Sequence, residues 1–285
     1  MKSLTSKRII ITGGSLGIGL AVAKKCANEG AEVIIAARNE NDLNNSLNTL
    51  KNISNKNHLT YSLDVGNLNC VNKFAKWVND KGLEINGLVN CAGIYGPIGK
   101  THKVDMSDFS EAIQVNLLGT VYMCNIFSPM LVSNKSKKIV NFSGGGGASP
   151  FPNYSAYASS KAAIIRFTEN IALELNDSKF DINCIAPGFV ITRLHKKTIS
   201  AGSDKAGSGF YENTKKQIED GGVPPEKAAD LCSFLLSEDS DGITGKFISA
   251  PWDAWEEKSF QDKLRQDKDF ATLRRIDEKY FKKID

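Results

Sequence analysis

Short apolar runs alternate with longer stretches of helical periodicity along most of this chain. Arg8–Thr12, Glu32–Ala37, Leu59–Asp64, Gly87–Asn90, Lys138–Phe142, Asp181–Ile185 and Lys246–Ala250 read as strands. Between them, Gly17–Glu29, Asn41–Lys51, Val71–Asp80, Ser107–Leu131, Tyr154–Leu175 and Pro225–Leu236 carry the apolar spacing of helices that bury one face. The strands are nearly continuous in apolar residues, so both faces of their sheet must be covered. The prediction is an α/β fold: a parallel sheet with helices on each side, in three layers.

Two stretches break the alternation. Residues 192–222 contain Gly202, Gly207, Gly209, Gly221 and Gly222 among polar residues and follow a strand end, where open α/β sheets hold ligands. This segment is expected to be a lid. Residues 256–285 are highly charged but carry Phe260, Leu264, Leu273, Ile276, Tyr280 and Phe281 at partly helical spacing. They read as a helical extension, packed on the domain or on a partner, with a solvated tail as the alternative. The expected organisation is one domain over 1–255 and an extension over 256–285.

Composition narrows the class. The 285 residues are 41% hydrophobic and 24% charged, ordinary for a globular protein. A net charge of +4, with no basic cluster interleaved with aromatics, gives no reason to expect nucleic acid. No apolar run is long enough for a bilayer, and the N-terminus has no cleavage pattern, so a cytoplasmic protein is expected. Six scattered cysteines (26, 70, 91, 124, 184 and 232) form no C-x-x-C pair, which suits free thiols in a reducing compartment; no metal site is expected.

The candidate chemistry begins at TGGSLGIG, Thr12 to Gly19, between the first strand and first helix. A helix N-terminus offers unpaired N–H groups to a pyrophosphate. Gly13 permits the tight turn, Gly17 the approach of phosphate and Gly19 close packing of helix on strand, with Ser15, Leu16 and Ile18 in the same turn. The second strand ends at Ala37-Arg38-Asn39, without the acid that usually binds an adenosine ribose. Arg38 offers a planar cation for a 2′-phosphate instead, which favours NADP(H), with NAD(H) the alternative. Asp64-Val65 and Asn90-Cys91-Ala92-Gly93 stand at the ends of later strands, ready to line the same groove.

Tyr157 and Lys161 are one helical turn apart on one face. A cation about 4 Å from a phenol, at an effective dielectric of about 20, favours phenolate by roughly 4 kcal/mol, or about three pKa units. That would bring Tyr157 near neutrality, where acid–base catalysis works best.

These marks in this order, with Asn116 in QVNLLG, Ser143 in VNFSGG, YASSK at 157–161 and NCIAPG at 183–188 followed by Thr192, resemble the short-chain dehydrogenase/reductase family, in its compact single-domain branch. The resemblance covers about Lys7 to Ala250. It implies a doubly wound, Rossmann-like seven-stranded parallel sheet, nicotinamide chemistry on a small carbonyl or alcohol, and a homodimer or homotetramer. It implies catalytic roles for Asn116, Ser143, Tyr157 and Lys161. Ser143 would bond the substrate oxygen, Lys161 the nicotinamide ribose, and Asn116 a water leading to solvent. Pro187, Gly188, Val190 and Thr192 would sit beside the nicotinamide. Substrate contacts are expected from Ser143, Gly145, Tyr154 and Tyr157, from the Gly144–Tyr154 and Gly93–Lys103 loops and from the lid. The lid opens with Arg193, His195, Lys196 and Lys197, a basic set suited to an anionic substrate.

The family's NNAG is NCAG here, and the chain ends its last strand with Pro251-Trp252-Asp253-Ala254-Trp255. That ending and the SGGGG loop look like members found with bacterial surface-polysaccharide and nucleotide-sugar pathways, so a sugar- or polysaccharide-type substrate is expected, while the basic lid would also suit an acyl carrier. A scaffold that keeps the fold without chemistry is the competing reading. Small residues at 156, 158–160, 162 and 163 suit either a subunit interface, shared with the Ser107–Leu131 helix, or packing on the chain's own sheet.

Overall fold

In the first strand, Ile9 and Ile11 face one layer of helices and Ile10 the other. This alternation, repeated along the sheet, builds the two cores of the molecule. The computed structural model describes residues 3–276. Its strands are β1 (Arg8–Thr12), β2 (Glu32–Ala37), β3 (Leu59–Ser62), β4 (Gly87–Asn90), β5 (Lys137–Phe142), β6 (Phe180–Ala186) and β7 (Phe247–Ser249). They form one all-parallel sheet in the order β3-β2-β1-β4-β5-β6-β7, with Ile10 in register with Ile34 and Leu88. The expected doubly wound, three-layer fold is the one observed. The chain reverses direction of travel across the sheet between β1 and β4, and ligands in such sheets bind at that crevice.

One face is covered by α1 (Gly17–Asn28), α2 (Glu40–Ile53) and a helix at Pro225–Leu236. Val22, Cys26, Leu231 and Leu235 close on Ile9, Ile11, Val33 and Val140. The other face is covered by α3 (Leu68–Asp80), α4 (Met106–Ile113), α5 (Gly119–Phe127) and α6 (Ser155–Glu174). There Phe74, Val78, Met123 and Phe127 pack on Ile10, Ile34, Leu88 and Ile139. No helix among the described residues is long and apolar enough to cross a membrane.

One expected helix is broken, and two other expected segments gain detail. The helix expected over 107–131 is interrupted by a π-helical turn at Gln114–Leu118, which carries Asn116. The lid is three helices, α7 (Arg193–Ala201), α8 (Ser203–Ala206) and α9 (Ser208–Glu219). Gly202 and Gly207 separate them with φ of +79° and +86°, values other residues rarely adopt. The Pro225–Leu236 helix is therefore α10. The extension forms α11 (Lys258–Gln266), whose Leu264 is buried in the first core. Beyond it, Phe247 N–H on the outer edge of β7 donates to the Ala271 carbonyl at 2.7 Å. Leu273 packs beside Ile164 and Ile165, and Ile276 is exposed. The expectations for Tyr280 and Phe281 lie outside the described residues.

Candidate active site

The end of β1 is fastened before the turn begins. Thr12 Oγ1 accepts hydrogen bonds from Cys91 N–H at 3.1 Å and Ala92 N–H at 3.3 Å. Thr12 thus ties β1 to β4 and is not among the residues lining the cavity above the turn. Gly13 follows with φ +66°, and a Cβ there would lie 2.8 Å from Ala92 Cα. A Cβ on Gly19 would lie 2.3 Å from the Gly13 carbonyl oxygen, so α1 is drawn tightly onto the turn. Leu16 caps α1 without a side-chain hydrogen bond, and the first turn has no acid. The leading N–H groups keep their positive end for an anion.

Above this turn opens a cavity of about 1160 Å³. Gly13, Ser15, Leu16, Gly17, Ile18 and Gly19 form its floor. Arg38, Asp64 and Val65 stand at the end beside β2 and β3, and Ala92 and Gly93 along the middle. Gly145, Tyr157, Pro187, Gly188 and Val190 close the far end, and Thr192 stands over Gly17. The uncapped helix and the glycine cradle suit a dinucleotide: the first turn of α1 would hold its pyrophosphate and Arg38 would stand by its adenosine. Arg38 is exposed and lies 3.9 Å from Glu111, a loose pair that leaves the guanidinium available. Asn90 points away from the groove, because its Nδ2 donates to Asn141 Oδ1 at 2.9 Å within the core.

At the far end Tyr157, Lys161 and Asn116 come together. Lys161 Nζ lies 5.6 Å from the centre of the Tyr157 ring and donates to the Phe142 carbonyl at 2.9 Å. Asn116 is fully buried. Its Oδ1 accepts from Ile94 N–H at 2.8 Å, and its Nδ2 donates to the Ile94 carbonyl and to Ser160 Oγ, each at 2.9 Å. Both residues lie just behind Gly93: a Cβ there would be 3.3 Å from Asn116 Oδ1 and 3.5 Å from Lys161 Nζ.

The expected lowering of the Tyr157 pKa is reversed. Burial, seconded by the Cys91 thiol, raises the phenol above its ordinary value, and burial lowers Lys161 to about 8. The Lys161 ammonium is bonded to the Phe142 carbonyl, and desolvation is the largest influence on both groups. Burial thus favours the neutral phenol at Tyr157.

Ser143 is not among the residues that line the cavity. Its hydroxyl donates to the Lys161 carbonyl at 3.0 Å and locks β5 to α6. Tyr154 is fully buried, stacked on Phe151 at 4.3 Å, and its hydroxyl bonds Thr198 at 2.9 Å. It therefore anchors the lid and makes no wall for substrate. His195 is buried between Phe189 and Tyr95 and its pKa falls to about 4, so it does not belong to a basic lid. Trp255 packs inward, its Nε1 bonded to the Ala250 carbonyl at 3.1 Å, whereas Trp252 is 75% exposed on the cavity rim. Tyr95, Phe151, Phe189, His195 and Phe210 form an aromatic wall of the cavity. All but Phe189 lie in segments expected to touch substrate, but their meeting on one wall was not visible in the sequence.

A family model described as short chain dehydrogenase matches residues 7–202. The chain belongs to that family. It is therefore an oxidoreductase enzyme, in a family that uses NAD(P) cofactors. An uncharacterized oxidoreductase, YxbG, of Bacillus subtilis is 31% identical over 251 residues, 88% of this chain and 91% of that protein. The 3-oxoacyl-[acyl-carrier-protein] reductase FabG of Chlamydia muridarum is 31% identical, over 86% of this chain and 96% of its own. Among solved structures, NAD⁺-bound xylitol dehydrogenase superposes with a TM-score of 0.79 at 25% identity, covering 87% of this chain and 98% of that one. Levodione reductase, at 24% identity, shares the fold with a TM-score of 0.79 over 89% of this chain and 98% of its own.

Proposed function

We propose that this short-chain dehydrogenase is an NADP(H)-dependent reductase of ketones or aldehydes, with Tyr157 as the proton donor. The observation that carries this reading is the placement of a buried, protonated phenol on the wall of a cavity that runs back to the uncapped end of α1 and to Arg38. When bound, the nicotinamide supplies a hydride. Negative charge then develops on the carbonyl oxygen, and Tyr157 meets it with a proton. Lys161 keeps positive charge next to the phenol and is the group we assign to the cofactor's ribose hydroxyls. Asn116 holds the Gly93–Ile94 backbone against Lys161.

Arg38 at the adenosine end supports NADP(H) over NAD(H). The aromatic wall supports a carbonyl with a flat or apolar body over a free polyol, since polar hydroxyls there would lose water without gaining partners. Six free thiols fit a reducing compartment, and we propose the cytoplasm. The outer face of α6, with Ser159, Ala162, Ala163 and the 79% exposed Leu173, supports a homodimer or homotetramer.

The test is oxidation of NADPH followed at 340 nm with three carbonyl probes. They are 1-phenyl-1,2-propanedione, the N-acetylcysteamine thioester of 3-oxobutanoate, and D-xylulose. The diketone should turn over fastest, and Tyr157→Phe should abolish turnover. Tight NADPH binding with no turnover of any probe would support the scaffold reading instead.

A further inference from the structure

An oxygen that takes a proton from Tyr157 needs a second donor while its charge builds, and the structure removes the one expected. Ser143 Oγ is occupied by the Lys161 carbonyl and is roofed by the glycine loop: a Cβ on Gly147 would come within 2.5 Å of it. The residue lying against the Tyr157 hydroxyl is Gly144, where a Cβ would stand 2.5 Å from that oxygen. The loop thus presents bare main chain where a hydroxyl was expected.

Another phenol ring lies close by. Tyr95 packs edge-on to Tyr157, with ring centres 4.8 Å apart at 87°. It is wedged on its other sides by Tyr154 at 5.2 Å and His195 at 6.1 Å. The residue is 4% exposed, and its exposed remainder forms part of the cavity wall. Its hydroxyl makes no hydrogen bond among the described residues and is not one of their fully buried unpaired atoms, so it keeps access to a partner from outside the chain. Its backbone is fixed, because Asn116 holds both the N–H and the carbonyl of the preceding Ile94.

We propose that Tyr95 is a catalytic residue whose hydroxyl donates the second hydrogen bond to the substrate's carbonyl oxygen. This rests on the reading of Tyr157 as the proton donor. As the carbonyl carbon is reduced, its oxygen gains charge, takes the Tyr157 proton, and is steadied by Tyr95, which keeps its own. Burial and the neighbouring phenols raise the Tyr95 pKa, so it serves as a donor throughout the neutral range. Asn116 is then a positioning residue, acting through the Ile94 peptide.

The test compares Tyr95→Phe, Ser143→Ala and Tyr157→Phe with the three carbonyl probes, alongside Tm and the NADPH dissociation constant from fluorescence titration. Tyr95→Phe keeps the ring and removes only the hydroxyl. Its kcat should fall about 100-fold, as for loss of one oxyanion donor, with Tm and NADPH affinity as in the parent. Its loss should exceed that of Ser143→Ala. A Tyr95→Phe enzyme within twofold of the parent kcat, beside a dead Tyr157→Phe, would overturn the inference and leave the proposed function standing. Turnover surviving in Tyr157→Phe would overturn both. A lowered Tm with unchanged kcat would assign Tyr95 to packing alone.

Discussion

Arg193, the first residue of the lid, reaches Asp42 on α2 with 3.2 Å between Nη2 and Oδ2. The pair joins the lid to the end beside β2 and β3, across the mouth of the cavity. Gly17 lies beneath the same crossing, its position for a Cβ being 3.4 Å from Thr192 Cγ2. Arg193 is largely exposed, so the ion pair contributes only about 0.2–1 kcal/mol. Asp42→Asn should therefore speed cofactor release about two- to fivefold, with the larger effect at low salt. Stopped-flow displacement of NADPH measures this, and a rate independent of both substitution and salt would show that the contact does not hold the lid.

Arg38 stands free enough to choose between cofactors. A guanidinium on a 2′-phosphate contributes roughly 1.5–3 kcal/mol through charge-assisted hydrogen bonds. Arg38→Ala should weaken NADPH binding about ten- to hundredfold and leave NADH within about threefold. Glu111→Gln frees Arg38 from its 3.9 Å partner and should strengthen NADPH slightly. Equal affinities of the parent for the two cofactors would remove the case for NADP(H).

The sheet and the glycine turn were legible because strands buried on both faces cannot hide their apolar runs, and because Gly13 and Gly17 sit where φ is positive. The side-chain directions at the centre were not legible. Residues 143 and 144 are adjacent, yet one turns into α6 and the other onto Tyr157, a choice made by how four consecutive glycines fold over β5. The break at Asn116 was hidden because the apolar period of the 107–131 segment runs through it. Tyr154 looked available because it opens a helix next to Tyr157, but Thr198, 44 positions later, takes its hydroxyl.

Gly144 should tolerate no side chain. A methyl group 2.5 Å from the Tyr157 hydroxyl must push either the loop or the phenol. Overpacking of this kind costs about 1–3 kcal/mol, and a 1 Å displacement of a catalytic group can cost about 100-fold in rate. Gly144→Ala should lose at least tenfold in kcat with a modest drop in Tm. Full activity in that variant would mean that the loop moves freely and that Tyr157 is not held by it.

His195 gives the lid a pH dependence. Phe189, Tyr95, Thr192 and the Val190 carbonyl surround the ring, and burial lowers its pKa from 6.5 to about 4. Between those values the unfolded chain binds a proton that the folded chain refuses. Stability from this residue is thus complete above about pH 6.5 and lost as pH falls toward 4, by at most about 3 kcal/mol. His195→Gln should flatten that part of the Tm-against-pH curve. An unchanged slope would place the acid sensitivity elsewhere.

The segment after α11 seals an edge of the sheet. Phe247 donates to Ala271, and the buried Lys246 ammonium donates to the carbonyls of Asp267 at 2.6 Å and Phe270 at 3.0 Å. Glu169, also buried, accepts from Leu273 N–H at 2.6 Å and pairs with Arg274 at 3.2 Å. Ending the chain at Gln266 would strip Lys246 of both oxygens and bare the outer edge of β7. A buried charge left without partners costs about 3–5 kcal/mol, and a bare edge strand invites pairing with another chain. The shortened protein should melt well below the full chain and show concentration-dependent mass by light scattering. Adding Lys246→Met should recover part of the lost stability but not the monodispersity, because it removes the stranded charge and leaves the edge open. Should the shortened chain melt with the full one and keep its mass, the segment only rests on the surface.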